Sequence, residues 1–430
     1  MSHFFERIKQ NLVVLVMLSA LNTIAQNQWQ IFNVSNTGIA NDRVNCITPR
    51  SNGEIWFGTN GGITVYDNGT WANYTPNNST IYNATVTEIF FDDIGNTWVG
   101  FATGGMALFD GNIFSQINLE KQVAVTPFFG TNDVRAFEKD SSNNLYIGTR
   151  NGLIIKSGNN YSYYKVGNGI YSDQVYSLKY NKDKHRMWVG TFDGGLLEFD
   201  INSHSFINQY FVHNPTDPFI GGWQQVNAIT YDTEGDIWIT GLGVIEYDKN
   251  TMAKKSEFSS NNGLGDPLVW GIAFDKTNGL WVGSDCLDGV FLYSNGTWIT
   301  YNETNSGFPK DICYYVYDFY IDDHNSVWMA HGSQGIIKYN QALTEIKEFG
   351  NMNINLYPNP VDNIINVEID DFESVSLVIY DNLGRSVKKI EPINHNKTQI
   401  NISSLKSGSY YLQIIKNDKV SIHKQFIINK

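Results

Sequence analysis

The chain has 430 residues, of which 14% are aromatic and only 17% are charged, and its formal net charge is -13 at pH 7. Its 38 glycines and 24 tyrosines suit many short strands joined by glycine turns. The excess acid lies between residues 26 and 350, so the chain lacks the basic footprint that nucleic acid or an anionic membrane requires, and we expect no nucleic-acid partner.

The first 25 residues have the pattern of a signal peptide. A basic start at Arg7 precedes an apolar run over residues 12–21, and small residues up to Ala25 suit a cleavage site. The run is about ten residues long, whereas a spanning helix needs about twenty. We expect removal of residues 1–25, export through the periplasm and no transmembrane segment in the mature chain, with a retained anchor helix as the alternative.

A hairpin pattern recurs seven times between residues 26 and 350. In the first copy a β-rich run over residues 55–58 leads through the Thr-Asn-Gly-Gly turn of residues 59–62 into a returning run over residues 63–66. One aromatic residue marks each copy: Trp56, Trp98, Tyr146, Trp188, Trp238, Trp281 and Trp328. The copies lie about 42 to 50 residues apart, which is the period of a propeller blade.

Each copy also has an upstream run that starts with a constant valine and a downstream aromatic run. Four strands per copy, in hairpins that cannot bury their own faces, predict an all-β fold with a seven-bladed β-propeller over residues 26–350. Two segments could close the ring, residues 29–32 before the first copy or residues 344–349 after the seventh. The sequence does not choose between them.

The repeat resembles a known family. Its Val-x-x-Ile, Asp-x-x-Gly, Ile-Trp-Phe-Gly-Thr, Gly-Gly-Ile and Tyr-Asp elements are similar to the two-component regulator propeller repeat. That family occurs in the periplasmic sensor halves of hybrid histidine kinases and in many secreted proteins, so the resemblance implies a fold and no particular ligand. Nothing in the chain resembles a kinase or response-regulator domain, and we infer no signalling role.

Residues 351–430 lack the repeat and alternate apolar runs with turns, which predicts a small Ig-like β-sandwich. The turns are marked by Pro358, Asn359, Pro360, Gly384 and Gly408. The order of these motifs resembles the type A C-terminal sorting domain of the type IX secretion system. The resemblance implies the type IX secretion machinery as a partner, usual removal of the domain, and a secreted or outer-cell-surface location. An ordinary Ig-like accessory module is the alternative.

Motifs for catalysis are missing from the sequence. The eight histidines show no zinc-type spacing, and no nucleophile elbow or phosphate-binding loop occurs. The three cysteines, Cys46, Cys286 and Cys313, form no disulfide framework, and we expect buried or free thiols, with a bond between Cys46 and Cys313 of the first and seventh repeats as the alternative. Acids in blade turns such as Asp92 more often cap backbone amides than bind calcium. We therefore expect no cofactor, with structural calcium as the alternative.

The positions that vary between copies are the residue after the constant valine and the turn of the central hairpin. Both should lie at one end of the ring, where propellers commonly hold ligands. The candidate ligand-binding residues are Arg43, Asn60, Arg135, Arg150, Tyr176, Trp223, Trp270, Tyr315, Tyr317 and His331. We predict a binding protein for an extracellular glycan or protein ligand. The alternatives are a lyase or hydrolase that uses acids and a histidine such as His331, and a purely structural surface protein.

Overall fold

The computed structural model describes residues 28–123, 130–165, 173–210, 224–259, 264, 268–285, 289–310, 315–341, 354–369, 375–381, 386–393, 396–416 and 419–429. The chain divides into two compact units, Met1–Ala342 and Leu343–Lys430. The predicted signal peptide and the predicted domain boundary after residue 350 lie outside the described residues.

The first unit is built from short antiparallel strands and one short helix. Its first half contains β1 (Trp29–Phe32), β2 (Val44–Pro49), β3 (Ile55–Thr59), β4 (Gly62–Asp67), β5 (Thr70–Tyr74), β6 (Val86–Phe91), β7 (Thr97–Phe101), β8 (Met106–Phe109), β9 (Phe114–Ile117), α1 (Leu119–Val123), β10 (Val134–Lys139), β11 (Leu145–Thr149), β12 (Gly152–Ser157) and β13 (Asn160–Tyr164). Its second half contains β14 (Val175–Asn181), β15 (Arg186–Thr191), β16 (Leu196–Asp200), β17 (Ser205–Tyr210), β18 (Val226–Tyr231), β19 (Ile237–Gly241), β20 (Gly243–Tyr247), β21 (Lys254–Phe258), β22 (Val269–Phe274), β23 (Leu280–Ser284), β24 (Val290–Ser294), β25 (Thr297–Tyr301), β26 (Val316–Ile321), β27 (Val327–His331) and β28 (Gly335–Tyr339).

These strands form seven four-stranded sheets in the described part of the first unit, here termed blades 1 to 7. Blades 1 to 6 are meanders of consecutive strands: β2 to β5, β6 to β9, β10 to β13, β14 to β17, β18 to β21 and β22 to β25. Blade 7 has the order β26-β27-β28-β1, because the N-terminal strand supplies its outer edge. Trp29 pairs with Tyr339 and Phe32 with Ile336, so the N-terminal candidate closes the ring, whereas residues 344–349 lie outside the described residues.

The ring is closed on its inner side as well. The first strand of every blade contacts the first strand of the next blade, and β26 of blade 7 contacts β2 of blade 1. The all-β propeller fold predicted from the repeat is thereby confirmed, and the described residues of the first unit form seven four-stranded sheets. The inner sheet edges are therefore short, and each is flanked by the first strands of the neighbouring blades.

The hydrophobic core of the propeller consists of seven clusters, each shared by two neighbouring blades. The cluster between blades 1 and 2 joins Trp56 to Val99 and Phe101, and the cluster between blades 7 and 1 joins Trp328 to Phe57. Every marker aromatic packs toward the following blade in this way. The faces that one hairpin cannot bury alone are therefore buried by its neighbour.

The constant valine and the glycine of the Trp-x-Gly motif belong to one contact between blades. All seven valines are fully buried, and each glycine of the motif lies against the valine of the next blade. A Cβ atom added to Gly100 would lie 2.6 Å from Val134 Cγ1, and one added to Gly148 would lie 2.7 Å from Val175 Cγ1. In the five blades that carry this glycine, the close approach of two sheets leaves no space for a Cβ atom, whereas Thr240 and Ala330 occupy the position in the other two.

The second unit contains β29 (Ile354–Tyr357), β30 (Ile364–Ile369), β31 (Val375–Asp381), β32 (Ser386–Ile393), β33 (Lys397–Asn401), β34 (Gly408–Lys416) and β35 (Lys419–Ile428). They form a three-stranded sheet, β29-β30-β33, and a four-stranded sheet, β32-β31-β34-β35. One hydrophobic cluster contains residues of both sheets, for example Val367 and Ile400 with Leu412 and Phe426. The two sheets therefore pack face to face, whereas the Ig-like topology stays a prediction.

No helix within the described residues is both long enough and apolar enough to cross a bilayer.

Candidate functional site

Each innermost strand of the propeller carries a β-bulge directly after its constant valine. The pairing register between first and second strands shifts at this point in all seven blades. The bulge residues are Asn45, Thr87, Arg135, Tyr176, Asn227, Trp270 and Tyr317, and all are partly exposed although the preceding valines are buried. A bulge changes the direction of a side chain. This explains why the variable bulge residue is partly exposed although it directly follows the constant, buried valine.

The turns of the central hairpins lie at the same end of the ring as the bulges. A backbone N–H of the turn donates to the residue just before the valine, as from Asn60 to Arg43 O (3.1 Å), from Arg150 to Asp133 O (3.0 Å) and from Gly332 to Tyr315 O (2.8 Å). The bulge residues, these turns and the residues joined to them are termed the mouth.

An aromatic cluster occupies the mouth at blades 6, 7 and 1. Trp270 meets Tyr317 edge to face, with ring centroids 5.6 Å apart, and Tyr315 stacks on Tyr317 at 5.8 Å. The Arg43 guanidinium lies 5.2 Å from the centroid of the Tyr317 ring. Arg43 is exposed, and the three aromatic side chains are partly exposed. Four of the residues predicted from sequence are thus in one group.

A cationic cluster occupies the mouth at blades 3 and 4. Arg135 Nη2 donates to Asp133 Oδ2 at 2.9 Å, and Arg150 Nε lies 3.4 Å from the same oxygen. The Arg135 guanidinium lies 5.8 Å from the centroid of the Tyr176 ring, and Tyr176 stacks on Phe192 at 5.6 Å. The sequence reasoning missed Asp133 and Phe192, although Asp133 directly precedes a constant valine and could have been noticed there.

The smaller bulge residues join neighbouring blades. Asn45 Nδ2 donates to Val86 O at 2.7 Å and to Asn60 Oδ1 at 3.0 Å. Thr87 and Asn227 make the same type of bond to the valine carbonyl of the next blade. Asn60 therefore lies at the mouth as predicted, but its side chain supports Asn45 rather than standing free.

His331 does not present its ring to the mouth. It is fully buried at the end of β27, and its Nδ1 accepts the backbone N–H groups of Ser333 (3.2 Å) and Gln334 (3.1 Å). The ring holds a hairpin turn, and a ligand at the mouth cannot reach it in this structure. Trp223, the remaining candidate, lies outside the described residues.

A group of ionisable residues lies below the mouth on the first strands of blades 7, 1 and 2. Burial raises the pKa of Asp318 to about 6, and burial together with the Asp318 charge raises the pKa of Glu88. Cys46 is a free, buried thiol whose pKa is raised by burial and by both carboxylates. Asp318 Oδ2 accepts the Ile47 backbone N–H at 2.8 Å, which joins blade 7 to blade 1. Cys286 and Cys313 lie outside the described residues.

The acids at the opposite end of the blades cap turns. Asp92 Oδ1 accepts the N–H of Ile94 (3.2 Å) and Asn96 (2.7 Å), and its Oδ2 accepts Trp98 Nε1 at 3.1 Å. The indole N–H groups of other blades are held in the same way by Asp232, Asp275 and Asp322. These carboxylate oxygens already accept hydrogen bonds from the chain. This is the turn-capping role that the sequence favoured over calcium binding.

One group of acids in the described residues has the spacing of a cation site. Asp232, Asp236 and Glu246 bring carboxylate oxygens within 4.8 Å of one another. Lys255 bonds to Asp236 and lies 2.9 Å from Glu246, and its ammonium holds the pKa of Asp236 below the usual range. A lysine thus already supplies the positive charge that a metal ion would bring.

The motif residues of the second unit lie at its first turn and its longest strands. The Tyr357-Pro358 and Asn359-Pro360 peptide bonds are both cis. Asn359 Oδ1 accepts the Ile427 N–H at 2.9 Å, which ties this turn to the final strand. Gly408 begins β34, and Gly384 lies outside the described residues.

Both units match known families. Residues 355–429 match the family described as Secretion system C-terminal sorting domain, and residues 38–61 match Two component regulator propeller. The first unit thus contains a segment similar to the two component regulator propeller, and the second unit matches the C-terminal sorting domain over most of its length. Such a sorting domain is handled by the type IX secretion system, so this propeller protein is secreted or displayed on the cell surface.

Several solved structures share the fold. The extracellular domain of a protein described as a hybrid two component system from B. thetaiotaomicron is 18% identical, with a TM-score of 0.61, 94% of this chain covered and 57% of that one. A second such domain from B. thetaiotaomicron, described as a one component system, is 16% identical, with a TM-score of 0.58 and coverages of 93% and 59%. The propeller protein therefore spans less than two thirds of their length.

Virginiamycin B lyase from Staphylococcus aureus, solved with quinupristin, is 13% identical, with a TM-score of 0.56, 73% of this chain covered and 98% of that one. At these identities the likeness shows the fold alone. Among curated proteins none matches the sequence.

Proposed function

We propose that this secreted or cell-surface propeller protein binds an extracellular glycan at the mouth. The observation that carries the proposal is the cluster of Trp270, Tyr315 and Tyr317 with Arg43 on the bulges and strand starts of three adjacent blades. Partly exposed aromatic faces beside polar groups are the surface that a sugar ring requires, because one side of the ring carries C–H groups and its edge carries hydroxyls.

Trp270 Nε1 has no acceptor among the described residues, a state that it shares with the Nε1 atoms of Trp29, Trp188 and Trp298. This state does not by itself mark a ligand site, so the proposal rests on the partly exposed aromatic faces.

The test is a glycan array probed with the parent protein, followed by affinity measurement for each sugar that binds. We expect Trp270→Ala and Tyr317→Ala each to weaken binding by at least about 10-fold, because aromatic anchors dominate recognition sites. Trp298→Ala is the matched control: Trp298 lies on the outer strand of the same blade and also has an Nε1 without a described acceptor. Unchanged affinity in the Trp270/Tyr317 double variant would contradict the proposal.

Catalysis at the same end of the ring is the second candidate, and one observation favours it. Glu88 and Asp318 are carboxyl groups with raised pKa values, and such groups are more frequent at catalytic sites. His331, the base considered from sequence, is buried and engaged in a turn. Turnover of a polysaccharide or peptide that is lost in Glu88→Gln would support an enzyme, such as the lyases that share the fold.

A further inference from the structure

The cationic cluster contains two guanidinium groups and a single carboxylate. Arg135 approaches Asp133 with Nη2 at 2.9 Å from Oδ2 and Nε at 2.7 Å from Oδ1, while Arg150 Nε lies 3.4 Å from Oδ2. The exposed fractions of the side chains are 26% for Arg135, 37% for Arg150 and 12% for Asp133. The carboxylate is thus the most buried part, and the cluster has one excess positive charge that is open to solvent.

The two arginines are held in place before any ligand arrives. Arg135 is the bulge residue of blade 3, and its guanidinium is backed by the Tyr176 ring of blade 4. Arg150 lies in the hairpin turn, and its backbone N–H donates to Asp133 O at 3.0 Å. Asp133 is fixed in turn by its own N–H bond to Gly130 O at 3.0 Å. The Arg135 side chain therefore has little freedom left to lose on binding, whereas for Arg150 it is the backbone that is fixed.

Most of the donors in this cluster face no further described acceptor. A guanidinium has five N–H donors in a planar fork. Within the described residues Asp133 accepts a hydrogen bond from Arg135 and is ion-paired with Arg150. The fork geometry matches a second carboxylate, which would complete an alternating arrangement of two cations and two anions.

We infer that the glycan bound at the mouth carries a carboxylate, as in a uronic acid, and that Arg135 and Arg150 bind this group. The inference rests on the proposed function and deepens it. The net charge of -13 would repel a dense polyanion, so the fitting ligand has isolated acidic groups on an otherwise neutral sugar chain. An acidic peptide offers the same carboxylate chemistry, but the aromatic cluster favours the sugar, and the peptide becomes an outcome of the test.

The test compares two oligosaccharides of identical linkage and length, one of neutral hexoses and one in which hexuronic acids replace them. Titration calorimetry with the full chain should show the uronate form bound about 10-fold to 100-fold more tightly, because a charge-assisted bond is added. Raising the salt concentration should reduce this preference and leave binding of the neutral sugar unchanged.

Arg150→Gln should abolish the preference for the uronate without affecting binding of the neutral sugar. Arg135→Lys keeps the charge but loses the fork, so it should retain only part of the preference. The control is Arg186→Gln: Arg186 belongs to blade 4, is paired with Asp200 at 2.8 Å, and should leave the preference intact. Trp270→Ala should weaken the binding of both oligosaccharides by the same factor.

The outcomes separate the two proposals. Equal affinity for both sugars, or a preference that persists in Arg150→Gln, would overturn this inference and leave glycan binding in place. Failure of both sugars to bind would overturn both. Arg150-dependent binding of an acidic peptide, with no sugar bound, would reassign the mouth to a protein partner.

Discussion

Replacing Asp318 by asparagine removes a carboxylate that is held between blades 7 and 1. The side chain accepts the N–H groups of Ile47 and Phe319, both at 2.8 Å, and asparagine keeps an oxygen for one of them. The charge itself is disfavoured, because burial raises the pKa of Asp318 from 3.8 to about 6. In the unfolded chain the carboxyl titrates near its ordinary value.

The direction of the pH effect follows from this difference. Below the unfolded pKa the carboxyl is neutral in both states, and its contribution to stability is complete. As the pH rises through the folded pKa near 6, the folded state must accept the charge, and stability is lost. A shift of about two pKa units corresponds to about 3 kcal/mol, an upper value because the side chain keeps partial contact with solvent.

The assay is thermal or urea unfolding of the parent and Asp318→Asn between pH 4 and pH 8. As the pH rises, the free energy of unfolding of the variant should increase relative to that of the parent. At neutral pH the difference should reach up to about 3 kcal/mol, or on the order of 5 °C in melting temperature. Asp323→Asn is the control, since the Asp323 side chain in the same blade is 100% exposed. Parallel pH profiles for parent and Asp318→Asn would refute the reasoning.

Two further substitutions test how the blades pack and turn. Gly100→Ala places a methyl group 2.6 Å from Val134 Cγ1 and should lower the free energy of unfolding by about 1 to 3 kcal/mol. An unchanged urea midpoint would show that the two sheets can move apart at no cost in stability. Asp275→Ala leaves the buried Trp281 Nε1 without its 3.0 Å acceptor and should cost at least about 2 kcal/mol in the same assay, whereas Asp275→Asn, which keeps an oxygen, should cost less. Equal losses in the two Asp275 variants would argue against the indole bond.

The number of blades could be predicted from sequence because each copy repeats the same physical problem, a hairpin with two unburied faces. The Trp-x-Gly motif and the constant valine both help to bury these faces. The valine of one blade fills the space above the glycine of the blade before it, as with Val134 and Gly100. The closing strand could not be chosen, because residues 29–32 and 344–349 both have the composition of an edge strand. Only the pairing of Trp29 with Tyr339 decides between them.

The candidate site was predicted less completely. Variation after the valine pointed to Arg135, Trp270 and Tyr317, and these residues do lie on bulges at one end of the ring. His331 was included as a polar group expected at that end, but the sequence does not reveal whether a histidine ring points outward or caps its own turn. The partnership of Arg135 with Asp133 was also missed, because an ion pair across a bulge has no fixed spacing in sequence.

The pairing of β1 with β28 closes the ring by joining the first described strand to one that lies more than three hundred residues later in the chain. The strands β1 and β28 cannot pair until both have been synthesised, because they lie at opposite ends of the ring sequence. Pairing of such distant segments is slow in folding. The ring therefore stays open until the end of the first unit has been synthesised.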